Sequence, residues 1–441
     1  MSLKVAIVGA GPAGFYTADA LLKSESECEI DIIERLPCPY GLIRFGVAPD
    51  HEKTRNVSRA FARTLENPAV RYFGNVEVGR DISIEELQDA YDAVVLTVGA
   101  GRDRPLGLKG DDKAGVYGSA SFVNWYNGHP DAVDLAPDLS TPAALVIGVG
   151  NVAIDVARVL LKTPEEMAAT DLAGHAAQAI HAAPIKDVYM VARRGPSEAK
   201  FTNVELREMG ELAEAVPQVD ASVIPDEVEG DMSDRDRRVR EKNLGTLREF
   251  AVREAGEKPK RVHFVFCAQP TEILGDGRVA AVRLERTRME QGRPVATGEF
   301  FEVPCGLVVA ATGYRSDPVP GAPFDDERGI IPNDDGRVAE RLYTAGWVKR
   351  GPSGVIGTNK IDGQATAKIV LEDLGAGAGR PGRAQLLSVL DGRNVRIVNY
   401  ADWQRIQAAE EAAASGDAPR AKFCNVSEML AVLDSDSAAA E

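Results

Sequence analysis

Two short glycine turns constrain this chain more than any other feature. The first is Gly9-Ala10-Gly11-Pro12-Ala13-Gly14; the second is Gly148-Val149-Gly150-Asn151-Val152-Ala153. Each comes after a continuous apolar run, KVAIV (4–8) or AALVIG (143–148), and each opens a helical pattern. An unbroken apolar run is the mark of a parallel strand buried on both faces. A strand, a glycine turn and a helix start together place backbone N–H groups where a dinucleotide pyrophosphate can sit. Gly9 permits the tight turn, Gly11 leaves room for the pyrophosphate, and Gly14 lets helix and strand pack closely. In the second turn Ala153 replaces the last glycine, a variant suggestive of NADP.

The end of the next strand distinguishes the two turns. After the first helix, IDIIE (30–34) reads as that strand, and Glu34 ends it twenty residues past Gly14. A carboxylate there accepts hydrogen bonds from ribose hydroxyls. After the second turn the next strand is DVYMVAR (187–193), closed by Arg193-Arg194. Two guanidinium groups match a 2′-phosphate by charge and by bidentate geometry. The wider spacing is absorbed by a helical stretch over 162–184. Two unlike sites imply two cofactors, FAD held at the first and NADPH exchanging at the second. A flavin beside a nicotinamide accepts hydride directly.

The remaining pattern is α/β. DAVVLTVGA (92–100) and GLVVAATGY (306–314) read as buried strands ending in glycine, and 101–142 as a loop-rich connection. RVHFVFCAQP and RVAAVRLERTRM read as antiparallel strands, and 232–256 as a charged helix. A helix is expected at 362–374, then a helix and a frayed end in the alanine-rich tail 404–441. One strand pair does not complete a sheet, so chain beyond 311 must finish the first domain. The expected fold is therefore two Rossmann-like dinucleotide-binding domains, the NADP domain (103–311) inserted within a discontinuous FAD domain (1–102 and 312–441).

Composition excludes several alternatives. A net charge of −16 argues against a nucleic-acid partner. Five scattered cysteines without CxxC, and only five histidines, argue for reduced thiols in the cytoplasm and against a metal site. No apolar run approaches the length of a membrane helix, and the first strand begins too early for a signal peptide. A disulfide reductase would need a redox cysteine pair, and Cys28 and Cys38 are too far apart in sequence. A flavin monooxygenase and a non-catalytic dinucleotide-binding subunit share the same turns and stay open on these grounds.

Beyond the turns, PYGLIRFGVAPDH, VIGVGNVAIDVAR, VARRGP, FTNVELRE and GWVKRGPSGVIGTNKIDG occur in order from Lys4 to about Leu374. On these the chain resembles the adrenodoxin reductase type of NADPH–ferredoxin reductase. The resemblance implies FAD contacts at Ala13, Glu34, Leu42, Val78, Trp347, Gly354, Val355 and Ile356. It implies NADPH contacts at Gly150, Asn151, Val152, Ala153, Arg193, Arg194, Glu205 and Gly354. It places His51 and Glu208 near flavin and nicotinamide, where they relay protons or hold geometry. It also implies a ferredoxin as acceptor, such as one feeding a cytochrome P450. The net-basic segment 235–261, after an acidic stretch (205–231), reads either as a docking face for that acidic partner or as a solvated helix with internal ion pairs. Arg44 is a second docking candidate.

Overall fold

The structure is a computed structural model that describes residues 1–435. It divides into two units, Met1–Arg102 with Asn127–Asp131 and Tyr314–Glu441, and Asp103–Tyr126 with Ala132–Gly313. Each is built on its own six-stranded, Rossmann-like sheet, and the second is inserted in the chain of the first.

In the first unit the sheet runs Arg337–Ala339, Leu342–Thr344, Ala93–Leu96, Leu3–Val8, Cys28–Glu34, Val70–Gly74. All neighbours are parallel except the edge pair 337–339 with 342–344. Leu342–Thr344 is the late strand that the incomplete first sheet required; it pairs with Ala93–Leu96. The apolar runs are continuous because both faces are covered. Val5, Ile7, Ile30, Ile32 and Val95 face Phe15, Leu21, Val370 and Trp403. Their neighbours Ala6, Val8, Ile33, Val94 and Leu96 face Leu87, Tyr91, Leu386 and Leu390.

The second unit has the strand order Val116–Gly118, Leu307–Ala310, Ala143–Ile147, Asp187–Val191, Lys260–Val265, Ala215–Val219, all parallel. A three-stranded antiparallel meander, Ala268–Leu274, Ala281–Glu290 and Arg293–Pro304, covers one face. Leu145, Ile147 and Val191 pack there on Val282, Leu284 and Val303.

Four local expectations change. Lys260–Val265 belongs to the parallel sheet, and Cys267, at φ 51°, separates it from the meander that begins at Ala268. The antiparallel pattern therefore holds only for the strands after it. The connection 101–142 contains the helix Ser119–Tyr126, which buries Phe122, Val123, Trp125 and Tyr126. The late helix starts at Ile356 rather than 362, so the glycines of GVIGT lie at its N-terminus. The tail carries two helices, Tyr400–Ala412 and Val426–Ser435, and the expected frayed end, 436–441, lies outside the described residues. Among the described residues no helix is long and apolar enough to cross a membrane.

Candidate functional sites

In the first unit the glycine turn joins Leu3–Val8 to the helix Pro12–Leu22, with Gly11 at the N-cap and Pro12 inside the first turn. Gly9 has φ +109°, and a Cβ there would lie 2.7 Å from the Thr97 carbonyl oxygen. A Cβ on Gly14 would fall 2.2 Å from the Gly9 oxygen, so these two glycines are required by the fold itself. Gly11 differs: a Cβ there would meet nothing within 4 Å. Open space beside a helix N-terminus is what an approaching pyrophosphate needs.

Glu34 closes the turn from the neighbouring strand. One carboxylate oxygen accepts the Ala10 N–H at 2.9 Å and the other the Leu36 N–H at 3.1 Å. Burial pushes its pKa above the usual carboxylate range, while the backbone N–H groups pull the other way. A carboxylate offers about four lone-pair sites, so acceptor capacity remains for hydroxyl donors.

Two loops approach the same turn. Tyr40 donates its N–H to the Ala10 carbonyl at 2.8 Å, and a Cβ on Gly41 would come 3.1 Å from the Gly11 Cα. Leu42, half-buried, starts the next short helix, Leu42–Phe45. From the other side, a Cβ on Gly346 would lie 2.6 Å from that of Ala13. Trp347 comes next, partly buried, with its indole N–H donated to the Ser353 carbonyl at 3.1 Å. Asp362 anchors this loop to the late helix through the Gly346 N–H and Lys349 Nζ (3.0 Å). Gly354 has φ +81°, and Val355 is exposed at the N-cap of that 19-residue helix, with Ile356 partly buried after it. An uncovered apolar side chain beside a positive helix end suits a flat, apolar ring whose far edge gathers negative charge. Val78 is half-buried beyond the strand Val70–Gly74. His51, half-buried, is at the N-cap of the short helix Glu52–Arg55.

The second unit repeats the design. Gly148 (φ +138°) approaches the Ala311 carbonyl, and a Cβ on Gly150 would meet nothing within 4 Å. Asn151 and Val152 open the helix Asn151–Leu161, and Ala153 is fully buried. Arg193 and Arg194 lie just past the end of Asp187–Val191, both exposed. Their carbonyls accept from Thr287 Oγ1 (2.8 Å) and the Cys267 N–H (3.1 Å), which fixes the backbone. Neither guanidinium has a partner among the described residues.

Glu205 and Glu208 share the short helix Asn203–Glu208, which is docked on the helix of the glycine turn. The Thr202 N–H donates to Asn151 Oδ1 at 2.8 Å. Arg158, 1% exposed, lies within 3.4 Å of Glu205 Oε2 and 3.0 Å of Glu208 Oε2. Sequence reasoning did not single out Arg158. The available signal was one charge inside the apolar helical run VARVLL.

Arg44 is not a docking residue. It is 5% exposed, paired with Glu410, and its guanidinium lies 5.1 Å from the ring centres of both Phe45 and Trp403. The N-terminal half of the helix Asp234–Ala251, by contrast, projects Arg235, Arg238 and Lys242 into solvent, while Leu244, Leu247 and Phe250 anchor its other half.

All five cysteines are unpaired. Burial pushes the thiols of Cys38 and Cys305 up to about 12 and raises those of Cys28, Cys267 and Cys424. A redox dithiol needs a depressed pKa. None of these thiols is suited to disulfide reduction.

A model of the pyridine nucleotide-disulphide oxidoreductase family matches residues 3–195. The mitochondrial NADPH:adrenodoxin oxidoreductase of Bos taurus is 42% identical over 98% of this chain and 92% of its own length. NADPH-ferredoxin reductase FprA of Mycobacterium tuberculosis (strain ATCC 25618 / H37Rv) is 42% identical over 97% of this chain and 98% of its own. A structure of that FprA in complex with NADPH superposes with a TM-score of 0.91 at 40% identity, covering 98% of this chain and 99% of that one. The chain belongs to the family of NADPH:adrenodoxin oxidoreductases and NADPH-ferredoxin reductases.

Proposed function

We propose that this protein is an FAD-dependent ferredoxin–NADP(+) reductase that passes electrons from NADPH to a one-electron iron–sulfur acceptor of the ferredoxin type. FAD belongs to the unit of the first turn (residues 1–102 and the chain after the second unit), NADPH to the inserted unit. The observation that carries the reading is the contrast between the sites: a carboxylate, Glu34, at the first turn and two unpartnered guanidinium groups, Arg193 and Arg194, at the second.

The residues fit both groups. Gly11 and Gly150 leave open space at helix N-termini, where N–H groups receive a pyrophosphate. Glu34 accepts ribose hydroxyls of FAD with its remaining lone pairs. Gly41 and Leu42, Val78, Ala13, Trp347 and Gly354-Val355-Ile356 frame the rest of that cofactor. Arg193 and Arg194 take the 2′-phosphate of NADPH, with Gly150-Asn151-Val152-Ala153, Glu205 and Gly354 along its length. A bound flavin supplies the exchange between two-electron and one-electron transfer. The protein contributes proximity, orientation and fixed charge. His51 and Glu208 act beside the reacting rings, holding geometry or moving a proton. The thiols take no part.

The exposed cations of Asp234–Ala251 form the docking face for the acidic ferredoxin. A cytochrome P450 is one downstream consumer of the reduced ferredoxin, and the unpaired cysteines favour the cytoplasm. The purified protein is expected to be yellow and to bleach with NADPH; a colourless protein, or colour indifferent to NADPH, refutes the reading. Arg193→Ala with Arg194→Ala should weaken NADPH binding by about 2–4 kcal/mol, the loss of charged hydrogen bonds, and NADH far less. Equal losses for both nucleotides contradict the 2′-phosphate assignment. A panel of ferredoxins identifies the acceptor, and reconstitution with a P450 tests the downstream step.

A further inference from the structure

Glu205 and Glu208 both serve the proposed reaction, so their own support matters. Two carboxylates three residues apart on a six-residue helix repel one another, and so short a helix is not stable alone. Its support comes from the helix of the second glycine turn. At one end Lys200 donates its N–H to the Val149 carbonyl (3.0 Å) and Thr202 to Asn151 Oδ1 (2.8 Å). Two turns further along the same helix face lies Arg158.

Arg158 lies on a helix whose other buried side chains are apolar, and it is almost wholly buried. Its Nη1 is 3.0 Å from Glu208 Oε2 and 3.4 Å from Glu205 Oε2, and its Nη2 is 3.0 Å from Asp155 Oδ1. One fork thus addresses three carboxylates on two helices. Burying a guanidinium is costly, and packing alone would favour an apolar residue here. What a guanidinium adds is a fixed, planar set of donors that points each carboxylate in one direction.

We propose that Arg158 is a positioning residue for the reductase. It sets the direction of Glu208, and secondarily of Glu205, and ties both to the turn that receives the pyrophosphate of NADPH. The inference rests on the role proposed for Glu208 in the reductase. Lysine is the informative replacement: it keeps one charge and most of the volume, but its single ammonium cannot hold the planar three-way arrangement.

The test compares wild type, Arg158→Lys, Glu208→Gln and the double variant, each loaded with FAD. The rate of flavin bleaching by NADPH in a single turnover is measured per bound flavin. In the cofactor-free proteins, hydrogen exchange is followed over residues 203–209. Arg158→Lys is expected to retain wild-type FAD content, to exchange faster over 203–209, and to bleach about 10–100-fold more slowly, the scale of an ångström-level misplacement. The loss in the double variant should fall well short of the sum of the two single losses, because both changes act mainly through the same oriented carboxylate of Glu208. If Glu208→Gln is slow but Arg158→Lys bleaches at the wild-type rate, the positioning role is overturned and the role of Glu208 stands. Additive losses in the double variant also overturn it. If Glu208→Gln itself is as fast as wild type, the role of Glu208 fails and this proposal fails with it.

Discussion

Glu410→Ala tests how the tail supports the first unit. Glu410 is fully buried and accepts from both terminal nitrogens of Arg44, one at 3.0 Å, and from the Phe423 N–H at 2.9 Å. Phe45 and Trp403 contact the same guanidinium, and Lys422 Nζ donates to the carbonyls of Arg44 and Asn127, both at 3.2 Å. Arg44 is 4% exposed at its side chain, so bulk solvent does not screen its charge once the carboxylate is removed. Removing one member of a buried pair costs about 3–5 kcal/mol, since the partner charge is left uncompensated. At roughly 2–4 °C per kcal/mol for a unit of this size, the melting temperature should fall by about 10 °C. The measurement is a thermal melt followed by FAD release and by circular dichroism. Leu42 is two residues from Arg44, so FAD should be lost early in the same transition. Arg44→Met with Glu410→Leu should recover most of the loss, because an apolar pair of similar volume often equals a buried ion pair. A loss under about 1 kcal/mol for Glu410→Ala, the value of an exposed pair, would refute the claim that the tail stabilises the flavin unit through this contact.

The same geometry sets other outcomes. Gly11→Ala should leave the cofactor-free fold within about 0.5 kcal/mol of wild type, since nothing lies near its Cβ, yet abolish FAD retention; Gly14→Ala should lower stability itself, seen by melting the apoprotein. His129 is 12% exposed at its side chain, its Nδ1 accepts the Asp131 N–H at 3.0 Å, and desolvation holds its pKa below the ordinary value. Its contribution is complete above pH ~6.5 and is lost as pH falls through the depressed value. Acid denaturation of the first unit should therefore begin at lower pH in His129→Gln, and an unchanged acid limb counts against it. Replacing Arg235, Arg238 and Lys242 by Gln should raise the KM for ferredoxin, more at low salt than at high, without slowing a small artificial acceptor; equal losses with both acceptors would make the segment structural.

The strands and both turns were legible because their signals are local. A run such as VAIV (5–8) is apolar at every position only where both sheet faces are covered. Glycine is needed at positions 9 and 148 because φ is positive there. The helix Ser119–Tyr126 is not legible locally, because the glycines and prolines around it carry the stronger signal. Lys260–Val265 is legible as a strand but its parallel pairing is not, because patterning does not reveal which neighbour a strand pairs with.

The sequence alone determined that two dinucleotide turns exist, that their second-strand ends differ in charge, and that one sheet must be completed by late chain. It determined these because turn geometry, strand burial and charge at a strand end depend on residues close together in the chain. Packing between distant segments settles that Arg44 is buried against Glu410, 366 residues away, and unavailable to a partner. It also settles that Arg158 reaches Glu205 and Glu208 from another helix. Charge has no preferred side in a sequence. Whether an arginine meets solvent or a buried carboxylate depends on which helices pack beside it.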